Sequence, residues 1–142
     1  MFCNTYNINT FNNYKYIVVL SEYNGKILLS RHKNRTTWET QGGHIEKGET
    51  PIDAAKRELF EESGAVEFDL TPLCDYRAGD KETNDLANGV VFHGVIKTLG
   101  ELPESEMAEV KEFDSLPENL TYSDITTELF TYLQAAADKI IC

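Results

Sequence analysis

Short runs of apolar residues separated by polar turns occupy the first part of the chain, and this pattern predicts strands rather than long helices. Residues 16–20 and 26–30 are two predicted strands, and Asn24-Gly25 between them is typical of a tight hairpin turn. Residues 1–13 are polar and predict a loosely held arm or an edge segment. Three further strands are predicted after residue 65, at 66–70, 73–78 and 90–97, with 79–88 as a long polar connection.

Two segments have the apolar period of an amphipathic helix. In the first, Thr50 and Pro51 supply a capping hydroxyl and a proline at the first helical position, and Gly64 is a left-handed cap at the other end. Its apolar positions are Ile52, Ala55 and Leu59. The second helix begins at Ser123, with apolar positions at Ile125, Leu129, Leu133 and Ile140. This order of elements predicts an α/β fold, an α/β/α sandwich with a mixed β-sheet, in a single domain over 1–142.

Composition limits the class of protein. The formal net charge of −11 over 142 residues repels nucleic acid and anionic membranes, so neither is an expected partner. The three cysteines are widely spaced and predict neither a disulfide framework nor a zinc site, which favours a reducing, cytoplasmic location. No run approaches the about 20 apolar residues that span a bilayer, and the first residues do not resemble a signal peptide.

The segment 42–65 carries most of the candidate chemistry. It places two glycines in a turn ahead of the first helix and three carboxylates, Glu58, Glu61 and Glu62, within about one third of that helix's circumference. Like charges this close repel one another. A divalent cation such as Mg²⁺ would bind them, because it prefers carboxylate oxygens and leaves positions for water and phosphate. The pattern therefore predicts metal-assisted attack on phosphorus.

The same segment resembles the signature of the Nudix hydrolases, Gly-x5-Glu-x7-Arg-Glu-U-x-Glu-Glu-x-Gly-U, in which U is a bulky aliphatic residue. The matching residues are Gly43, Glu49, Arg57, Glu58, Leu59, Glu61, Glu62 and Gly64. Ala65 departs from the final aliphatic position, and Gln41 stands where the family usually has proline. The Gln41 amide is a candidate hydrogen-bonding group for substrate. The resemblance implies the Nudix fold, which is the predicted sandwich.

The resemblance also implies a metal centre for Mg²⁺ or Mn²⁺. Glu61 and Glu62 correspond to ligands of the principal cation, and Glu58 to a metal ligand, a general base or both. The carbonyl of Gly42 corresponds to a backbone ligand. Family members generally add an acidic ligand from a loop after the motif, and Glu106 is the first candidate here. The alternatives in that segment are Glu109, in second place, Glu104 and Glu112.

Arg57 corresponds to an orienting residue, because a guanidinium can bond two groups in one plane. Its expected partner is Glu49, and this pair would hold the loop against the helix. The predicted catalytic group is thus Arg57, Glu58 and Glu61. Structural roles in the motif fall to Gly43, Glu49 and Gly64.

Substrate phosphates are expected near the loop that follows the hairpin, which is the densest basic group of the chain. In related pyrophosphohydrolases a basic side chain at this place touches the phosphates, and this indicates Arg31 or His32. For Lys33 and Arg35 the alternative to phosphate binding is that they are ordinary solvated charges of the loop.

Base recognition is assigned to residues on either side of the motif. Trp38 and Glu39 lead into it, and Asp124 opens the terminal helix, so that an aromatic ring and carboxylates could border a nucleobase. The alternatives are that Trp38 belongs to the core and that Asp124 is part of a helix cap.

The sequence therefore predicts a Mg²⁺- or Mn²⁺-dependent pyrophosphohydrolase, most simply MutT-like. It would cleave a nucleoside triphosphate, for example an oxidised purine such as 8-oxo-dGTP, to the monophosphate and pyrophosphate. The alternatives are hydrolysis of nucleotide sugars, ADP-ribose or dinucleoside polyphosphates, or a non-catalytic Nudix ligand sensor. The expected partner is a small nucleotide, and homodimerisation through the N-terminal segment stays open.

Overall fold

A computed structural model describes residues 1–80 and 82–141 of the chain, with 138–141 described only as helix backbone. Within these residues the elements follow the order of the prediction, with one strand added before the second helix. They are β1 (Phe2–Tyr6), β2 (Tyr16–Tyr23), β3 (Lys26–His32), β4 (Gln41–His44), α1 (Pro51–Ser63), β5 (Ala65–Asp80), β6 (Asp85–Leu99), β7 (Met107–Phe113) and α2 (Ser123–Ile141).

The strands form one mixed sheet, as predicted. Its order is β1-β5-β6-β2-β3-β7, and β4 pairs with the first half of β2, from Tyr16 to Val19. The pairing of β2 with β6 is parallel, and the other pairings are antiparallel. Because β4 hydrogen-bonds to β2 at the centre of the sheet, the segment that leads into α1 is held against the most buried part of the structure.

The two helices pack on opposite faces of this sheet, which confirms the α/β/α sandwich. The core on the α1 face includes Ile17, Val19, Leu28, Ala55 and Leu59. The core on the α2 face includes Leu20, Cys74, Tyr76, Val91 and Leu129. Successive strand residues point to opposite faces, so Val19 and Leu20 serve different cores. No helix in the described part of the chain is long and apolar enough to cross a bilayer.

The local turn and cap predictions are confirmed. Asn24 and Gly25 both have positive φ, 55° and 76°, as a two-residue hairpin turn of this hand requires. The Thr50 hydroxyl accepts a hydrogen bond from the Asp53 amide, and Pro51 is the first residue of α1. At the other end Gly64 is left-handed, with φ of 84°, and its amide donates to the Phe60 carbonyl.

Four boundary predictions are wrong. Residues 66–70 and 73–78 belong to one strand, β5, with an irregularity between Pro72 and Cys74, because an antiparallel partner continues past the proline. Most of 79–88 is strand rather than connection, since β5 and β6 extend to Asp80 and from Asp85. The Gly42-Gly43 pair lies within β4 and not in a turn. Residues 107–113 of the acidic segment form β7 beside β3, so only Glu104 and Glu106 of the candidate ligands lie in the loop that was expected to supply one.

Candidate active site

Arg57 is the centre of the hydrogen-bond network on α1. Its Nε and Nη2 atoms donate to the two carboxylate oxygens of Glu49, at 2.7 and 2.9 Å, in the bidentate arrangement that was expected. Its Nη1 donates to Glu58 Oε1 at 2.8 Å, and Nη2 also donates to the His44 carbonyl at 3.1 Å. Glu61 Oε2 lies 3.5 Å from Nη1. Arg57 therefore joins the loop, β4 and α1.

The hydrogen bonds to Arg57, with a backbone hydrogen bond from Glu46, lower the pKa of Glu49 from its ordinary 4.5 to about 2. The pKa of Glu58 is raised instead, because burial outweighs the opposing contact with Arg57. Two carboxylates that share one guanidinium thus differ in basicity, and Glu58 is the better proton acceptor.

Gly43 allows Glu58 to reach β4. A Cβ atom on Gly43 would lie 2.8 Å from Glu58 Oε1, so any other residue here would displace this carboxylate. The glycine therefore leaves space for the carboxylate between helix and strand. This close approach explains why the motif has a glycine here although the residue is extended within a strand.

Glu62 lies at the last turn of α1 and faces the start of β4. Its Oε1 accepts a hydrogen bond from the Gly42 amide at 2.8 Å. The pKa of Glu62 is raised to about 8, mainly by burial and in addition by the nearby carboxylates of Glu58, Glu39 and Glu106, while the hydrogen bond from the Gly42 amide acts in the opposite direction. The carboxyl groups of Glu39, Glu58, Glu62 and Glu106 thus lie close enough for their charges to repel one another. Arg57 compensates only part of this negative charge.

The residues in this region fit a hard divalent cation by their chemistry. Glu58, Glu61 and Glu62 offer carboxylate oxygens, and the excess of negative charge that raises the pKa of Glu62 is what a bound cation would neutralise. Within the described residues, no three His, Cys, Asp or Glu side chains converge closely enough to hold one ion. The three carboxylates do not converge because they have different partners. Glu58 and Glu61 contact Arg57, and Glu62 accepts from the Gly42 amide. Binding would require these side chains to reorient.

A cleft of about 560 Å³ lies beside Glu62, which places it in the size range of small-molecule sites. Its lining includes residues of β2, β4, β5 and β6 and of the first turn of α2. The predicted residues that line it are Glu62, Gly42, Gly43, His32, Glu39 and Glu106. Of the acidic candidates after the motif, Glu106 alone lines this cleft, with its Oε2 3.8 Å from His32 Nε2. Glu109 pairs with Arg31 at 3.3 Å, and Glu112 contacts Asn24.

Arg35 and Tyr122 also line the cleft. Arg35 Nη1 donates to both oxygens of Glu39, at 3.0 and 3.1 Å, and its guanidinium lies 5.8 Å from the centre of the Tyr122 ring. Arg35 is thus an exposed side chain of the loop that is also paired with a buried carboxylate. Its spacing of four residues from Glu39 is the signal in the sequence that indicated a pair.

Several predicted substrate contacts lie elsewhere. Arg31 is not part of the cleft lining, because its guanidinium bonds Glu109 and the Arg35 carbonyl. Asp124 is exposed on α2 and is also absent from the lining, to which Tyr122, Ile125 and Thr126 contribute. Trp38 belongs to the core, with its ring 5.1 Å from that of Phe113. The prediction that the Gln41 amide meets substrate is wrong, because Gln41 is fully buried.

The comparison with protein families now bears on this geometry. Residues 13–136 match the model of the NUDIX domain. The chain belongs to the NUDIX family. The matched range contains the whole motif, from β2 through the greater part of α2.

Individual relatives of this NUDIX domain are moderately similar. YtkD of Bacillus subtilis, named as a candidate 8-oxo-dGTP diphosphatase, is 34% identical over 107 residues, which are 75% of this chain and 66% of YtkD. An RNA pyrophosphohydrolase of Tolumonas auensis is 37% identical over 60 residues, 42% of this chain and 34% of that protein. The chain thus spans between about a third and two thirds of these relatives.

A solved structure shares the fold over nearly the whole chain. The crystal structure of the pyrophosphohydrolase BsRppH of Bacillus subtilis superposes with a TM-score of 0.82 over 96% of this chain and 90% of that one, at 23% identity. The mixed sheet with a helix on each face is therefore a NUDIX fold. The family match and the shared fold therefore agree in placing the chain in the NUDIX family.

Proposed function

We propose that this NUDIX protein is a Mg²⁺- or Mn²⁺-dependent pyrophosphohydrolase that cleaves a nucleoside triphosphate to the monophosphate and pyrophosphate. The observation that carries the proposal is the position of Glu62. It lies between the Gly42 amide and a nucleotide-sized cleft, in the field of three further carboxylates. A cation bound at Glu62 would have carboxylate oxygens on one side and space for a substrate phosphate on the side of the cleft.

In this proposal Glu58, Glu61 and Glu62 hold the cation together with the Gly42 carbonyl, and Glu106 contributes from the opposite wall of the cleft. The cation, when bound, supplies positive charge against the phosphate oxygens and makes water easier to deprotonate. Glu58 accepts the proton of the attacking water, which suits the raised pKa of its carboxyl group. Arg57, paired with Glu49, fixes the loop against α1 while the side chains of Glu58 and Glu61 turn from it toward the cation.

The remaining cleft residues bind the rest of the nucleotide. Lys15, His32 and Arg35 are among the basic residues in the cleft lining, and we assign His32 and Arg35 to the phosphates. Glu39, which is 6% exposed, and the ring of Tyr122 border the space beyond them, where a carboxylate can accept hydrogen bonds from a base edge and a ring can stack on it. A purine is the base that offers the larger stacking face. We therefore propose a MutT-like substrate, with 8-oxo-dGTP as the first to test.

A second candidate substrate is the 5′-triphosphate end of RNA. It is favoured by the relatives named RNA pyrophosphohydrolases, which are similar over 60 and 61 residues of this chain. The net charge of −11 opposes it, because a polyanion is repelled by an acidic surface. The two candidates differ in how salt should affect them, since screening would help the RNA end more than a mononucleotide.

The direct test is hydrolysis of a substrate panel with Mg²⁺ and with Mn²⁺, in which pyrophosphate and orthophosphate are resolved. The panel contains canonical and oxidised triphosphates, 5′-triphosphorylated RNA, ADP-ribose, nucleotide sugars and dinucleoside polyphosphates. Release of pyrophosphate from one triphosphate supports the MutT-like proposal and names the base. Preference for another class retains the cation site and changes the substrate. No turnover of any member, despite measurable cation binding, favours a ligand sensor.

The role of Glu62 is tested by Glu62→Gln. The amide oxygen of glutamine can still accept from the Gly42 amide, so the fold should be retained and the melting temperature should change little. Turnover should fall by more than the about 10–100-fold that loss of an outer partner of a metal site costs. Glu112→Gln is the matched control, because Glu112 is an exposed carboxylate on β7 that contacts Asn24. Equal activity of the two variants would remove Glu62 from the mechanism.

A further inference from the structure

The residue before the two glycines has an unexpected environment. Gln41 opens β4 and is fully buried, as is Ser30 on β3, and Ser21 on β2 is 2% exposed. A buried amide is destabilising unless its donors and acceptor are all bonded. In this structure each polar atom of the Gln41 side chain has a partner.

The hydrogen bonds of Gln41 have a defined direction. Its Nε2 donates to the Leu28 carbonyl at 3.2 Å and to Ser30 Oγ at 2.8 Å, and its Oε1 accepts from Ser21 Oγ at 2.6 Å. The reversed amide would point an oxygen at the Leu28 carbonyl, and two acceptors repel each other. Since Ser30 Oγ accepts a hydrogen bond from Gln41 Nε2, the hydrogen of its own hydroxyl is free to form a hydrogen bond elsewhere.

The hydroxyl of Ser30 donates a hydrogen bond to α1. Ser30 Oγ lies 2.7 Å from the backbone carbonyl of Glu62. This carbonyl is in the last turn of the helix, where carbonyl groups have no partner within the helix. Glu62 is thus bound at two points, by Ser30 at its carbonyl and by the Gly42 amide at its carboxylate, and Gln41 is adjacent to both.

We propose that Gln41 and Ser30 form a positioning relay that sets the place of Glu62 against β4, and through it the affinity of the site for its cation. The relay acts through the backbone of Glu62, so Gln41 and Ser30 are positioning residues and touch neither cation nor nucleotide. The inference rests on the proposed function. It explains the departure from proline at position 41, because a proline side chain has no donor with which to orient Ser30.

Three variants separate this role from general packing. Ser30→Ala removes the contact with Glu62, and Ser30→Thr keeps the hydroxyl. Ser21→Ala is the matched control, because it removes one hydrogen bond from the same buried amide while the link from Gln41 through Ser30 to Glu62 remains. For each variant we would measure Mn²⁺ affinity from the electron paramagnetic resonance of the free ion, the melting temperature, and kcat and KM on the best nucleotide.

The relay predicts that Ser30→Ala weakens Mn²⁺ binding about tenfold and lowers kcat, with KM for nucleotide within about twofold. Ser30→Thr should restore both, and Ser21→Ala should change Mn²⁺ affinity by less than about twofold whatever it does to the melting temperature.

The proposal is overturned if Ser30→Ala retains the affinity of the active wild type, or if Ser21→Ala and Ser30→Ala weaken Mn²⁺ binding equally. It is also overturned if Ser30→Thr, folded as the wild type is, behaves like Ser30→Ala. A wild type that neither binds Mn²⁺ nor hydrolyses any nucleotide would refute the proposed function itself, and the relay with it.

Discussion

At the scale of single residues, the geometry of Arg57 explains why the motif requires arginine. Its planar fork meets both oxygens of Glu49 and still reaches Glu58 and the His44 carbonyl. A lysine ammonium is a single point of charge on a flexible stem and cannot bond these groups together in one plane. The ion pair with Glu49 is therefore both a support for the loop and a means of holding Glu58.

The Glu49 pair predicts a dependence of stability on pH. The pKa of Glu49 is about 2 in the folded protein, below its ordinary 4.5, so its ionised form stabilises the fold above pH 4.5 and this stabilisation is lost as the pH falls toward 2. Glu49→Gln should therefore melt below the wild type at neutral pH. The difference between the two melting temperatures should close as the pH is lowered through this window.

Thermal unfolding of both proteins between pH 2 and pH 7 measures this difference. Glu104→Gln, at an exposed carboxylate outside the Arg57 network, should run parallel to the wild type over the whole range. A constant difference between wild type and Glu49→Gln at every pH would mean that the charge of Glu49 is not what stabilises the loop.

At the scale of elements, α1 is defined by its two ends. Thr50 satisfies the Asp53 amide at the start, and Gly64 turns the chain into β5 at the end. The Gly64 turn is also a close contact with a distant segment, because its carbonyl accepts from the Gly100 amide at 2.8 Å. The helix end that carries Glu62 is thus fixed by both local conformation and tertiary contact.

Two glycines with similar positive φ allow the effect of local conformation to be separated from that of tertiary contact. Gly25 and Gly64 have φ of 76° and 84°, but a Cβ on Gly25 meets nothing within 4 Å, whereas one on Gly64 would lie 2.5 Å from the Glu101 carbonyl oxygen. Gly25→Ala should lower the free energy of unfolding by about 1–2 kcal/mol, the cost of a left-handed alanine. Gly64→Ala should cost distinctly more, and it should also reduce activity, because the helix end must shift.

Urea unfolding of both variants, with turnover of the best substrate, gives the comparison. Equal losses of stability would show that the helix end adjusts freely and that the contact with Glu101 carries no weight. Loss of activity in Gly25→Ala but not in Gly64→Ala would contradict the prediction that the end of α1 positions the site.

At the scale of the whole molecule, the N-terminal segment is attached to the sheet by a buried carboxylate. Asp75 on β5 is fully buried, and its Oδ2 accepts from the Phe11 amide at 2.9 Å and from the Tyr14 hydroxyl at 2.8 Å. Its Oδ1 has no hydrogen-bond partner among the described residues. These bonds join segments 64 and 61 residues apart, so the edge strand β1 and the link to β2 are held as one piece.

Tyr14→Phe tests this attachment. It removes one of the two hydrogen bonds to a buried carboxylate that already has one free oxygen, and hydrogen bonds to charged groups contribute about 1.5–3 kcal/mol. The free energy of unfolding should therefore fall by about 2 kcal/mol in chemical denaturation. Tyr6→Phe is the matched control, because the Tyr6 ring packs on Phe11 but its hydroxyl makes no hydrogen bond within the described residues. Similar losses in both variants would attribute the effect to ring packing.

The sequence by itself determined the features that depend on a few neighbouring residues. The Asn24-Gly25 hairpin, the two ends of α1 and the carboxylate face of that helix were predicted correctly, because backbone conformation and capping are decided locally. The pair of Arg57 and Glu49 also followed from the motif, since the two residues are only eight positions apart. Ile140, predicted as an apolar position of α2, has a side chain outside the described residues.

Only the tertiary structure decided which polar residues meet the cleft. Gln41 was predicted to face substrate, yet its burial depends on Ser21 and Ser30, which are 20 and 11 residues away on other strands. Arg35 lines the cleft, whereas Arg31 does not, because Arg31 pairs with Glu109 on β7. The acidic sequence did not reveal the extent of this strand. Local patterns specify elements, but the surroundings of a side chain are specified by which distant strands the sheet brings beside it.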